Sequence, residues 1–303
     1  MKHSSQFTVD RSPVRLSVVL ATRNEEENIA RCLESIKEIA DEIIIFDEYS
    51  TDKTREIAEK FGAKVFLEQH HDIFHITKQK ALQQAQGKWI LQLDADEVVT
   101  KELAKEMMAI VSFDGGQNGL LGGDDKKHKL FNKHQRLIEQ RDGVIGKQTG
   151  ETVGYFIPRR NMFLGKPLIH AGVYPDGVIR LVKKGKAMFP SKSVHEQIEL
   201  EGEVSWLSGD LLHFDSPTLK RYLARLNRYT DLKAQELKSS KTPKNIFSFL
   251  QYTVHRPLFT FLMLYFRHKG FLDGVNGFLW SFFSALHYPI AYFKYVTNKN
   301  DII

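Results

Sequence analysis

Cysteine is nearly missing from this chain of 303 residues, which has one, Cys32. A single thiol excludes an internal disulfide framework and a cysteine-built zinc centre, and it suits a reducing compartment. Cys32 falls within an amphipathic helical pattern with no His beside it, where a small buried residue is the ordinary expectation. Glycine-rich phosphate loops are also lacking. Neither G-x-G-x-x-G nor the Gly-rich turn ending in Lys-Ser/Thr occurs, which removes the dinucleotide and P-loop readings. The first fifteen residues hold no apolar run of the secretory kind, so the expected location is cytoplasmic. Two apolar stretches near the end, Leu258 to Phe266 and Gly277 to Phe293, both fall short of the roughly 20 apolar residues that span a bilayer.

What is present reads as a folded α/β protein. Hydrophobic residues make up 42% and charged residues 26%, values that exclude disorder. The net charge is +6, and from Lys241 onward seven Lys/Arg stand against Asp273 and Asp301. The same tail holds 16 of the 34 aromatic residues, so its positive charge points to a membrane interface and not to nucleic acid. Leu16 to Ala21, Glu42 to Asp47, Lys64 to Leu67 and Trp89 to Asp94 read as buried strands. Helices are expected over Glu25 to Ile39, Ser50 to Phe61 and Thr77 to Gln86. Apolar strands alternating with helices imply a parallel, doubly wound sheet covered on both faces. Residues 113–150, with Gly-Gly pairs and mixed charge, read as a flexible insertion. Ser216-Pro217 is expected to cap a helix whose apolar face holds Leu219, Tyr222, Leu223, Leu226, Tyr229 and Leu232. The domain boundaries expected are 1–240 for a catalytic domain and 241–303 for an amphipathic helical tail.

In open parallel sheets, ligands bind beyond the carboxyl ends of the strands. Acids crowd there in this chain: Thr22-Arg-Asn-Glu-Glu26 after the first strand, Asp47 to Asp52 after the second, and Asp94-Ala95-Asp96-Glu97 after the fourth. Clustered carboxylates repel one another, and a divalent cation with phosphate oxygens relieves that repulsion. Asp52 alone is better read as a helix cap.

Together these segments resemble the nucleotide-binding half of the family 2 glycosyltransferases, notably Thr22 to Ile29, Phe46 to Thr54 and Gly87 to Glu97. In the second half Ile157 to Gly165, Tyr174-Pro-Asp176, Ile179-Arg-Leu181, Val194-His-Glu196, Leu212-His-Phe214 and Tyr222 to Tyr229 resemble the lipopolysaccharide core β-1,4-glucosyltransferase subgroup. The resemblance implies a GT-A-type doubly wound mixed sheet, and the charge and aromatic content of the tail imply a C-terminal amphipathic helical, membrane-associated extension. It implies an inverting glycosyltransferase that moves a hexose, glucose favoured, from a UDP-sugar to a membrane-associated glycolipid or saccharide acceptor, working peripherally on the inner face of the cytoplasmic membrane. Donor contacts would come from Thr22, Asn24, Glu25, Asp47, Lys78, Asp94, Ala95 and Arg180. A divalent cation, Mn²⁺ or Mg²⁺, would sit on Asp96 and Asp94, with His213 as a further ligand. Glu196 is the expected catalytic base, with Asp176 next in line. Arg159 and Arg160 are candidates for anion contacts, and a second copy of the chain is a further partner. The competing readings are a non-catalytic sugar-nucleotide or membrane adaptor and a nucleotidyltransferase.

Overall fold

The structure, a computed structural model, describes residues 14–113, 125–147, 149–190 and 198–297. The chain divides into two compact units: 1–157 with 177–210, and 158–176 with 211–303. The elements in order are β1 (Leu16–Thr22), α1 (Ile29–Ile36), β2 (Glu42–Asp47), α2 (Thr54–Lys60), β3 (Lys64–Leu67), α3 (His75–Gln84), β4 (Trp89–Leu93), β5 (Glu97–Val99), α4 (Lys101–Ser112) and α5 (Asp125–Asp142). They continue as β6 (Thr152–Phe163), β7 (Lys166–Pro167), β8 (Asp176–Lys183), β9 (Ala187–Met188), β10 (Glu199–Leu200), β11 (Glu203–Trp206), β12 (Leu211–Ser216), α6 (Leu219–Ser239), α7 (Ile246–Leu250), α8 (Arg256–Leu262) and α9 (Gly274–Thr297).

In the first unit the sheet runs β3-β2-β1-β4-β8-β6. The pairs β2-β3, β1-β2 and β1-β4 are parallel, whereas β8 lies antiparallel to β4. The sheet is therefore mixed, a GT-A-type arrangement with helices packed on it. Leu16, Val18, Val19 and Leu20 of β1, and Trp89, Ile90, Leu91 and Leu93 of β4, are all buried, which is why these strands read as unbroken apolar runs. In α1 the buried set is Ile29, Cys32, Leu33 and Ile36, one stripe of a 3.6-residue period. Gly87 enters β4 so close to β1 that a Cβ there would meet Ser17 N at 2.6 Å.

Several local expectations change. Helix α2 begins at Thr54, not at Ser50, because Ser50 and Thr51 are engaged by Asp47 and Asn24 in the preceding turn. Within the segment read as an insertion, residues 114–124 and 148 lie outside the described residues, and 125–142 form α5. Its Phe131 and Ile138 enter the main core, and the Trp206 indole lies between the rings of Phe131 and Phe156, each centroid 4.7 Å away. Such pairs add about 0.5–1.5 kcal/mol each beyond their buried area.

In the second unit the later half of β6 pairs in parallel with β12, setting Asn161 opposite His213, and β7 folds back on β6. Helix α6 is capped by Thr218, whose Oγ1 accepts from Arg221 N, so Ser216-Pro217 is not the cap. Ser216 instead ends β12, opposite Phe163. On α6 the inward line is Tyr222, Leu226, Thr230, Ala234 and Leu237, while Leu219, Leu223, Tyr229 and Leu232 stay exposed. One π-helical segment, Gln251–His255, separates α7 from α8, and another, Met263–Arg267, follows α8. Helix α9 packs Trp280 and Phe283 near Phe163 and Tyr222, and its Tyr292 and Tyr295 cluster with Tyr252 and Leu237. No helix among the described residues is long and apolar enough to cross a membrane.

Candidate active site

The register of the first unit brings three strand ends together. Thr22 is paired with Asp47, and Leu20 with Leu93, so the residues after β1, β2 and β4 emerge side by side. Asp47 is buried and its carboxylate is saturated. Oδ2 accepts from Thr22 Oγ1 (2.9 Å) and Ser50 Oγ (2.6 Å), and Oδ1 accepts from Ser50 N (2.7 Å). Across the same gap Asn24 Oδ1 accepts from Thr51 N at 2.8 Å, and Asn24 N donates to Ser50 Oγ. Asn24 and Tyr49 both have positive φ, 55° and 51°, and Tyr49 is exposed. A bulky residue in that region is uncommon and marks a backbone held by its surroundings. Glu25 Oε2 accepts from Asn28 Nδ2 at 2.8 Å. Asp52 ties the turn before α2, accepting from Thr54 N and Oγ1; burial pushes its carboxyl up, but these bonds hold it below the usual range.

The turn after β4 is an ion network within the first unit. Register β4-β8 pairs Leu91 with Leu181, which places Gln92 beside Arg180. Arg180 Nη2 donates to Asp94 Oδ2 (2.5 Å) and to Glu97 Oε1 (2.7 Å), and Nη1 donates to Gln92 Oε1. Lys78 Nζ lies 2.5 Å from Asp94 Oδ1 on its other side and 4.8 Å from the Phe74 ring centroid. Burial pulls the Lys78 ammonium below its usual range, with the Arg180 charge adding to this and Asp94 opposing it. For Arg180 burial acts downward too, yet Asp94 and Glu97 outweigh it and hold the guanidinium firmly charged. Arg180 Nε is buried without a protein partner among the described residues. Ala95 is buried and Asp96 half-buried at the turn. Glu97 is wholly buried, and its Oε2 accepts from Asp94 N, which shapes the turn.

The chemistry of this donor set suits a hard cation. Asp94 and Asp96 set two carboxylates on one turn, and both Asp94 oxygens are engaged here by Lys78 and Arg180. The Cys32 thiol is pushed up by burial first and then by the charges of Glu97, Asp96 and Asp94, so the negative field of the turn reaches the neighbouring helix. No group of three or more His, Cys, Asp or Glu side chains able to hold a metal occurs among the described residues.

Asp176, His213 and the second arginine set belong to the other unit. Arg159 donates from Nε (2.9 Å) and Nη2 (2.6 Å) to Asp176 Oδ2, and Asn161 Nδ2 donates to the same oxygen at 2.9 Å. Burial raises the Asp176 carboxyl, but Arg159 and Asn161 bring it below the usual carboxylate range. His213 Nδ1 is 2.6 Å from Asn161 Oδ1. Glu196 lies outside the described residues. Two residues of the first-unit network escaped the site expectations, Glu97 as the buried partner of Arg180 and Gln92 as its neighbour. The signal for the latter is a lone amide in the apolar strand Trp-Ile-Leu-Gln-Leu. A cleft of about 950 Å³ between α3 and the β8-β9 turn, rimmed by Lys147, Lys184, Lys186, Glu199 and Glu201, contains none of the expected site residues.

Residues 17–168 match the family described as glycosyl transferase family 2. The lipopolysaccharide core biosynthesis glycosyltransferase LpsC of Rhizobium meliloti (strain 1021) is 29% identical, over 89% of this chain and 90% of that protein. An uncharacterized glycosyltransferase of Rickettsia conorii is 25% identical over 88% of this chain and 84% of its own. Among solved structures, glucosyl-3-phosphoglycerate synthase from Mycobacterium tuberculosis, in complex with Mn²⁺ and UDP-glucose, is 27% identical over 28% of this chain and 34% of that chain, with a TM-score of 0.26. S. aureus TarS is 17% identical over 86% of this chain and 45% of its own, with a TM-score of 0.42.

Proposed function

From the premise that the chain belongs to glycosyl transferase family 2, we propose that it transfers a hexose, glucose in preference, from a UDP-sugar to a glycolipid or saccharide acceptor at the inner face of the cytoplasmic membrane, with inversion and with a divalent cation. It is a glycosyltransferase and a homologue of a lipopolysaccharide core enzyme. The observation that carries the donor side is the turn after β4, where Lys78 and Arg180 flank Asp94. Both cations are buried and held in place, so they meet the charge of a departing diphosphate without reorganising. When bound, the cation would be held by Asp96 and Asp94 and would supply charge neutralisation to the diphosphate. Thr22, Asn24, Glu25 and Asp47 would shape the nucleoside end, with Asp47 acting mainly by fixing the β1 and β2 ends.

For the acceptor side, a base must remove the hydroxyl proton as the donor bond breaks. Asp176 is poorly suited, because Arg159 and Asn161 lower its basicity. That supports Glu196 for the role and leaves Asp176 to orient Arg159.

The test is calorimetry with UDP, Mn²⁺ and their combination on the full chain. Mn²⁺ alone should bind weakly, UDP should bind at least tenfold more tightly with Mn²⁺ than with chelator, and Asp96→Asn should remove that gain. Equal UDP affinity with chelator, or a wild-type response from Asp96→Asn, would refute the assignment.

A further inference from the structure

The run from Ile246 to Arg267 carries an apolar stripe that no described residue of the second unit covers. Ile246, Leu250, Val254, Leu258, Leu262 and Phe266 recur at four-residue intervals and are each between 44% and 72% exposed. Phe247 and Phe259 widen it. Four-residue spacing does not hold a straight line on a uniform helix. One residue turns the chain about 100° in an α-helix and about 82° in a π-helix, so a four-residue step overshoots a full turn by roughly 40° in the first and falls short by roughly 30° in the second.

Here the two geometries alternate: α over 246–250, π over 251–255, α over 256–262 and π over 263–267. The opposite drifts offset each other, and the stripe stays on one side over its whole length. The other side is buried through Ser248 and Tyr252, the latter stacked on Tyr292 at 5.3 Å.

We propose that this stripe is a docking edge that lies in the headgroup boundary of an anionic bilayer. The proposal deepens the membrane part of the function above and rests on it, while being independent of the donor chemistry. Length excludes crossing, and an apolar line with polar flanks fits a helix lying in the interface plane. The charges select the occupant. Between 241 and 297 there are six Lys/Arg and one acid, Asp273, and that acid is taken by the His170 ring and the backbone N–H groups of Ile169 and His170. Arg267 and Lys269 are exposed at the end of the stripe, next to the exposed Phe271 and Leu272. In a two-fold dimer the same patch faces itself, so these cations would confront their own copies. A sheet of anionic headgroups attracts them.

The experiment is flotation of the full chain with phosphatidylcholine vesicles and with vesicles containing phosphatidylglycerol, alongside sedimentation of the free protein. Wild type should float with the anionic vesicles, and less so at high salt. Leu258→Glu/Leu262→Glu, on exposed positions, should lower partitioning at least tenfold. Arg267→Gln/Lys269→Gln should lower it by about thirtyfold on anionic vesicles, near the combined surface attraction of two basic residues. Val144→Glu, at a position of the first unit that is 87% exposed, should change nothing. Mn²⁺-dependent UDP binding is measured on each variant. Loss of flotation with UDP binding retained supports the docking edge, and wild type that binds UDP yet does not float overturns it while leaving the donor site standing. Equal flotation of wild type and both double variants also overturns it, as does a dimer that Leu258→Glu/Leu262→Glu dissolves without any vesicle binding.

Discussion

Arg180→Met isolates the network at the turn after β4. The guanidinium serves three acceptors, of which Glu97 is completely buried and Asp94 has a side chain 31% exposed. Removing one partner of a buried ion pair costs about 3–5 kcal/mol, because the other charge is left without compensation. Most of that cost falls on Glu97, since water and Lys78 both still reach Asp94. The single variant should therefore be destabilised by about 3–5 kcal/mol in chemical denaturation of the first unit. Adding Glu97→Gln, which takes the stranded charge away, should return about 2 kcal/mol or more of it. The assay is urea denaturation of wild type, both single variants and the double variant at pH 7. A loss below about 1 kcal/mol for Arg180→Met, or no recovery in the double variant, would mean that Glu97 is not a buried anion dependent on Arg180.

Two further predictions test other parts of the chain. Glu196→Gln should lower sugar transfer by on the order of 10² or more while UDP binding survives, whereas Asp176→Asn should retain measurable turnover and mainly cost stability by leaving Arg159 uncompensated; single-turnover kinetics showing the reverse order would move the base to Asp176. Glu42, buried between Ser17, Lys64 and Gln86 N, has its carboxyl raised by burial but brought below the usual range by these bonds. A depressed folded value stabilises above the unfolded pKa and is lost as pH falls through the folded one, so Glu42→Gln should flatten the loss of stability below about pH 5; an acid limb unchanged in melting experiments would refute it.

The sheet was legible in the sequence where burial is two-sided, because β1, β2 and β4 have no solvent face to interrupt their apolar runs. The acids were legible as a cluster because strand ends converge in such sheets. Arg180 was legible only as a candidate anion contact, not as the partner of Asp94: it is 86 residues from Asp94, and no periodicity reveals that β8 pairs antiparallel to β4. Helix α5 was missed for a different reason. Its inward positions, 131, 134, 135 and 138, have correct helical spacing, but two of the four are polar: Gln135 accepts from Trp206 Nε1, and His134 Nε2 accepts from Gly177 N. A hydrophobic pattern cannot register a face that is half hydrogen bond. At Ser216 a sound capping signal lost to strand pairing with Phe163, and Thr218 capped the helix instead.

The indole of Trp206, enclosed by Phe131 and Phe156 with its Nε1–H donated to Gln135, turns α5 into something observable by light. Of the three tryptophans, Trp89 is wholly enclosed within the sheet and Trp280 sits in the second unit. Only Trp206 has α5 as one wall of its cage. Lifting α5 would give that indole to water, shifting its emission to longer wavelength while the other two keep theirs. The fold thus carries a built-in chromophore for the segment between 125 and 142, and a chain with Trp89 and Trp280 replaced by Phe would report, by colour alone, whether that segment moves during a catalytic cycle.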